Sequence, residues 1–447
     1  MKKKLALFLA ALMAMASLAG CGGTTAPPSS SATATQPSST AATGDLTAEI
    51  TWWSFPTFDD KTGTYDQKLI DAFNEKYPNI TVKLEMIDFT SGPEKITTAI
   101  QGNTAPDVLF DAPGRIVDYG KSGVLANLND LFTDEMKNDV GNPNIVEACG
   151  DGENYWMYPL SVAPFVMAYN KTLLEKEGLL DMLNLEGDRT WTTDEFTALN
   201  EALAAKGHTN GLVFCMDQGG DQGTRALIAN LYSSSITNDS LTEYTINDAN
   251  GVKAMQYVMD QVAAGNLGNG ASYNGGGAIE QFVAGTVSSA LLWSPGLDLN
   301  NKEALAANGI EAVAVPLPSD NGKPNATEYL VNGFCVFDNG DADKIAASKL
   351  FVEFVCDDAE WGPKNVVATN CFPARQSYGE LYPGNENMAF YGSLSQYYGV
   401  YYNTIDGFAS MRPAWFSNVQ AALTGDKTAE QAMNDFVQDA NKAIEAA

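Results

Sequence analysis

Along residues 49–110 the chain alternates between two hydrophobic spacings. Glu49 to Phe55, EITWWSF, has the apolar density of a first strand. Leu69, Ile70, Phe73 and Tyr77 then recur at helical spacing and stop at Pro78. Ile80, Val82, Leu84 and Met86 alternate with Thr81, Lys83 and Glu85, which predicts a strand with one face more buried. A helix around Glu94–Gln101 and a buried-type strand Asp107–Phe110 complete a βαβαβ rhythm. That rhythm predicts a mostly parallel sheet with helices on its faces.

The pattern resumes after Asn154. Thr192, with Glu195 three residues on, predicts a capping box opening a helix with Phe196, Leu199 and Leu203 on one face. Strand 212–216 and a helix over 248–264 follow. Then come helix 278–284, strands 289–293, 311–315 and 329–337, and helix 342–356. The remainder is mainly helical and ends in a helix over 428–446.

The N-terminus has a different pattern. Lys2, Lys3 and Lys4 precede an apolar run from Leu5 to Ala16, the layout of a secretory signal peptide. Leu18-Ala19-Gly20-Cys21 resembles the lipobox of bacterial lipoproteins, which implies cleavage after residue 20 and diacylglycerol on the Cys21 thiol. Two or more acyl chains give the stable anchoring that one does not. Residues 22–47 are Gly, Thr, Ala, Pro and Ser with almost no large apolar side chain, so they form a linker rather than a fold. A chain of ~25 such residues spans roughly 25–30 Å.

Composition narrows the chemistry. Of 447 residues, 26 are basic and 55 acidic, a formal charge of −29 that disfavours nucleic acid as a partner. The single histidine, His208, follows Gly207 in a turn, which leaves little for a histidine metal site or a Ser/His relay. Apart from Cys21, the cysteines are Cys149, Cys215, Cys335, Cys356 and Cys371, with no C-x-x-C spacing. They are expected as buried thiols, with one or two disulfides open. No cofactor and no metal are expected.

The order of short segments along nearly the whole mature chain resembles the family 1 extracellular solute-binding proteins, which include the maltose-binding type. ITWWS with LIDAFNEKYPNITVKLE is similar to that family's opening strand, helix and second strand. ITTAIQGNTAPDVLFDAPGRIVDYGKSGVLANL, YPLSVAPFVMAYNKTLLEKEGL, FVAGTVSSALLWSPG, KLFVEFVCDDAEWGP, FPARQSYG and AWFSNVQAALTGDKTAEQAMNDF follow in the family's order. The resemblance implies a two-lobed α/β fold, the type II periplasmic-binding fold, with a ligand cleft at the hinge. It places residues 48–159 and 312–371 in the first lobe, and 160–311 and 372–447 in the second. It further implies the binding component of an ABC importer, a monomer on the outer face of a bacterial cell membrane. This component would carry a sugar or oligosaccharide to permease subunits, touching the membrane through its anchor alone.

Ligands of α/β sheets sit beyond the carboxyl ends of strands. Trp52 and Trp53 end the first strand, and since strand neighbours face opposite ways, Trp53 is taken for the cleft. Asp111 follows a strand and Arg115 opens the next helix, in a stretch that contacts sugar in the maltose-binding type. Asp111 as a helix N-cap is the competing reading. Trp293 ends a strand near a turn where family members stack an aromatic on sugar. Trp415, in MRPAWF, resembles a stacking tryptophan, and its replacement is expected to weaken sugar binding tenfold with the fold intact. Arg375 and Arg412 suit hydroxyls or carboxylates, or a structural ion pair. Asn332 and Gly333 interrupt a strand, which marks close approach of a ligand or another backbone. The loop Asp217–Asp221 is expected at the cleft. The tyrosine dyads Tyr397-Tyr398 and Tyr401-Tyr402 divide between an aromatic cluster and a ferric-iron site. Competing functions are a secreted glycoside hydrolase, a binding protein for peptide, polyamine or ferric iron, and a receptor feeding a sensor kinase.

Overall fold

The computed structural model describes residues 46–58, 62–88, 91–216, 221–325 and 327–446. The expected signal segment, Cys21 and nearly all of the linker lie outside them. Strands β1 (Ala48–Ser54), β2 (Ile80–Met86) and β3 (Val108–Asp111) pair in parallel, with Ala48 opposite Ile80 and Trp52 opposite Val108. The helix Thr64–Lys76 buries Leu69, Ile70 and Phe73, as their spacing requires, and Phe73 meets Phe351 with ring centroids 5.1 Å apart.

The chain then leaves this sheet in one extended run. β4 (Tyr158–Pro164) belongs to the first sheet, and β5 (Val166–Asn170), one residue later, to a second. β6 (Leu212–Phe214) and β7 (Gly268–Gly270) form a parallel pair, while β8 (Ser289–Trp293) and β9 (Ala312–Val315) flank β5 antiparallel. β10 (Tyr329–Val336) returns to the first sheet, and β11 (Phe372–Pro373) closes its edge, in the order β11-β4-β10-β3-β1-β2. β10 runs antiparallel to both β3 and β4, so the sheet is mixed rather than mostly parallel. The reason is topological: β10 arrives from the second lobe instead of through a helix packed on its own sheet.

Two cores result. One is built from Ile50 through Val162, Tyr329 through Ala368, and Tyr398 and Tyr401. The other runs from Val166 through Leu317 and from Met388 through Ala440, with Tyr402 among its members. The lobe boundaries therefore shift from the expected ones. β9 and Leu317 pack in the second core, not the first, and β11 stays with the first sheet. The Thr192–Glu195 capping box forms with both reciprocal bonds, and Thr428 with Gln431 forms another ahead of the last helix.

Candidate functional site

Each lobe brings a carboxylate clamped by arginine to the region between the cores. In the first, Asp111 ends β3 and is followed by the helix Pro113–Lys121. Arg115 Nε and Nη2 donate to the two Asp111 oxygens at 2.7 and 2.5 Å, and the Ala112 amide donates at 2.8 Å. Asp111 is thus not the helix N-cap; Ala112 holds that position without a side-chain cap. The Asp111 carboxylate is 4% exposed and the Arg115 side chain 36%, so the pair shows its cationic half to solvent. Burial opposes the Arg115 charge, but Asp111 outweighs it and holds the guanidinium above its ordinary pKa.

The second lobe repeats the device at the start of the helix Gln222–Leu231. Arg225 and Arg412 converge on Asp221, the latter through Nε at 3.1 Å and Nη2 at 2.5 Å. Arg225 is fully buried; its Nε donates to the Tyr402 hydroxyl at 2.6 Å, and its guanidinium lies 5.6 Å from the Tyr402 and Phe408 ring centres. Tyr402 in turn donates to Glu328, which is 3.9 Å from Arg225. Desolvation raises the Glu328 pKa, with Arg225 opposing. Sequence reasoning expected Asp221 only as part of a loop and missed Arg225 and Glu328. The Asp221–Arg225 spacing of four was the legible signal. Residues 217–220 of the expected cleft loop lie outside the described residues.

The segment Tyr398–Phe408 joins the two arms. Tyr398 stacks on Tyr329 at 4.3 Å and Tyr401 meets the same ring edge-on at 5.2 Å, both in the first core. These are packing roles, which account for two of the four dyad tyrosines. Lys121 Nζ of the first-lobe helix donates to the Thr404 carbonyl at 3.3 Å and pairs with Asp406, so this segment also ties the lobes together. Beside it lies a cavity of about 280 Å³ lined from both cores, by Ala226, Ala229, Asp239, Glu328, Tyr329 and Tyr401 among others.

The remaining expected site residues lie elsewhere. Trp52 is in the first core against Phe351, while Trp53 faces the opposite side, 8% exposed beneath Lys95 Nζ at 4.4 Å. Trp293 is 0% exposed and packs on Phe282 within the second core. Trp415 is also 0% exposed: its Nε1 donates to Thr224 Oγ1 at 3.1 Å and its ring meets Phe436. Neither indole offers a face for stacking, because the strand end and the helix register turn both inward. Arg375 is a structural ion pair, bonding Asp357 at 3.0 Å and the Pro159 carbonyl at 3.2 Å. Asn332 and Gly333 mark a bulge against β4. Asn332 approaches Ser161 Oγ at 3.4 Å, and a Cβ on Gly333 would stand 2.4 Å from the Tyr158 carbonyl oxygen. The close approach there is of another backbone. All five described cysteines are free and buried.

Residues 58–360 match the sequence model of a family described as bacterial extracellular solute-binding protein. Among sequence relatives, a Brucella abortus protein described as a binding protein is 29% identical over 119 residues, 27% of this chain and 29% of that one. A Streptomyces antibioticus lipoprotein is 27% identical over 74 residues, 17% of this chain and 16% of that one. The matched stretch thus spans less than a third of these relatives' length. Solved structures align far more widely. The GacH receptor of Streptomyces glaucescens, solved unliganded and with acarbose, has a TM-score of 0.72 at 18% identity, covering 90% of this chain and 99% of that one. An ABC substrate-binding protein from Listeria monocytogenes in complex with cycloalternan gives 0.69 at 21% identity, covering 89% and 99%. A cyclic α-maltosyl-1,6-maltose binding protein from Arthrobacter globiformis gives 0.70 at 19% identity, covering 90% and 100%. At these identities the likeness is one of fold: two α/β lobes of the periplasmic-binding type.

Proposed function

Because this chain belongs to the bacterial extracellular solute-binding protein family, we propose that it captures a sugar or oligosaccharide between its lobes and delivers it to an ABC permease. The observation that carries this reading is the pair of arginine–carboxylate clamps, Arg115 on Asp111 and Arg412 on Asp221, one per lobe. The Arg115 guanidinium, fixed by the buried Asp111 carboxylate and 36% exposed, offers N–H groups in a set geometry, which suits hydroxyl rims. Tyr402, which lines the cavity beside the Tyr398–Phe408 segment, adds aromatic surface that suits sugar C–H faces. Three proteins of this fold carry acarbose, cycloalternan or a cyclic maltosyl-maltose in their names, which favours carbohydrate over peptide, polyamine or iron.

Contacts from both lobes to one ligand favour the closed arrangement, and that arrangement would be what a permease recognises. The lipobox-like Leu18–Cys21 supports anchoring by lipid on the outer face of the cell membrane. A hydrolase reading needs two carboxylates available across a glycosidic bond. Asp111 and Asp221 instead have both oxygens occupied by arginine donors, the state of a binding scaffold.

The test is a thermal-shift screen against mono- and oligosaccharides, with peptides, polyamines and ferric iron as controls. A rise in Tm with one glycan class is expected, since ligand binding to the folded state raises stability by mass action. A shift from peptide or metal alone, or appearance of cleaved glycan, would overturn the carbohydrate-capture reading.

A further inference from the structure

The cavity between the cores carries more information than its position. Its volume, about 280 Å³, lies just below the roughly 300–1,000 Å³ range of sites that enclose drug-sized ligands. It therefore matches one sugar ring rather than a chain. Its lining is also one-sided in charge. Asp239 and Glu328 are its carboxylates, and among the described residues no lysine or arginine lines it. Arg225 stands behind Tyr402, with its charge directed to Asp221 as well as to Glu328. Asn403 is on the same wall. Val400, one of the few large apolar side chains exposed among the described residues, at 41%, is also part of the lining. A pocket with acceptors, tyrosine rings and two carboxylates recognises a compact ring rich in donors.

Resting on the carbohydrate-capture reading above, we infer that this cavity is the subsite for a single monosaccharide unit. We further infer that it selects an amino sugar over its neutral and acidic counterparts. A protonated amine gains from Asp239 and Glu328, a neutral hydroxyl gains only a hydrogen bond, and a uronate carboxylate is repelled. The wall supplied by Ala226 and Ala229 sets the size limit, since both present only a methyl group to the cavity.

The test is calorimetric titration of the protein with glucosamine, glucose and glucuronate. Glucosamine is expected to bind at least tenfold more tightly than glucose, and glucuronate more weakly than either. Asp239→Asn, at an exposed position, should cut the glucosamine preference severalfold without changing Tm, and Glu328→Gln should remove most of the rest. Ala229→Leu should abolish binding of all three. Glucuronate binding as tightly as glucosamine, or a preference unmoved by Asp239→Asn, would overturn the inference. So would sugar affinity unchanged in Ala229→Leu, while capture by the protein as a whole stood. Absence of stabilisation by any sugar in the thermal-shift screen would remove the underlying reading as well.

Discussion

The indole Nε1 of Trp415 donates to the Thr224 hydroxyl at 3.1 Å, and both residues are fully buried. This bond pins the helix Phe408–Leu423 to the helix Gln222–Leu231, the two elements that aim Arg412 and Arg225 at Asp221. Trp415→Ala should therefore cost about 3–5 kcal/mol of stability, as large aromatic truncations in cores do. Trp415→Phe, which keeps most of the volume, should cost about 1–2 kcal/mol for the lost bond, while the Thr224 hydroxyl keeps its own bond to the Asp221 carbonyl. Denaturant unfolding checks both. A tenfold loss of sugar affinity in a Trp415→Ala protein of unchanged stability would return the ring to the ligand site.

How much of this was legible follows element by element. The strand and helix spacing from Ile50 to Phe110 specified its elements because each buries one face, and burial writes itself into the period of the apolar residues. Strand direction beyond β3 was not legible. Whether β10 enters parallel or antiparallel depends on which lobe the chain comes from, and no local pattern records that. At the site, Asp111 and Arg115 stand out in the sequence by position around a strand end, and Arg412 as a contact for hydroxyls or carboxylates or a structural ion pair; the structure sets all three in ion pairs. The three tryptophans illustrate the limit. Trp53, Trp293 and Trp415 sit near the expected places, yet a shift of one residue turns a side chain from cleft to core.

Asp221 is the shared partner of Arg225 and Arg412, with its carboxylate 1% exposed. Asp221→Asn leaves one buried and one half-buried guanidinium facing an amide. The expected cost is about 3–5 kcal/mol, because a buried charge is left uncompensated. Arg412→Ala removes only the more exposed partner and keeps the Asp221–Arg225 pair, so its stability cost should be about 1 kcal/mol. Its effect should fall on ligand affinity instead, at tenfold or more. Equal destabilisation by the two variants would contradict this division.

Gly333 lies opposite Asp111 in the β3–β10 ladder, at the bulge where β4 and β10 shift register. A methyl group there would meet the Tyr158 carbonyl oxygen at 2.4 Å and the Pro159 Cα at 3.0 Å, both backbone atoms that cannot rotate away. Gly333→Ala should destabilise by about 2–3 kcal/mol through overpacking. It should also weaken ligand binding by displacing Asp111. A Tm within about 1 °C of the natural protein would show that the bulge relaxes freely.

Asp118, three residues after Arg115, supplies a pH test of the contact between lobes. It lies on the first-lobe helix beside Lys121, whose Nζ reaches Asp406 of the second-lobe segment. Desolvation raises its pKa from 3.8 to about 6, with Lys121 lowering it and Asp406 raising it further. Tyr244 also faces this carboxyl electrostatically. Between pH 4 and 6 the folded state thus holds more protons at this group than the unfolded state does. The group's contribution is most favourable near pH 4, falls as pH rises, and is fully unfavourable above 6. The shift corresponds to about 1 kcal/mol once solvent screening at this partly exposed site is allowed for. Asp118→Asn should therefore match the natural protein in stability at pH 4 and exceed it by about 1 kcal/mol at pH 7. Lys121→Ala should extend the fall to higher pH, because the cation that lowers the Asp118 pKa is lost. A stability difference between Asp118→Asn and the natural protein that stays constant from pH 4 to 7 would mean that the pKa of this carboxyl is not raised in the folded state.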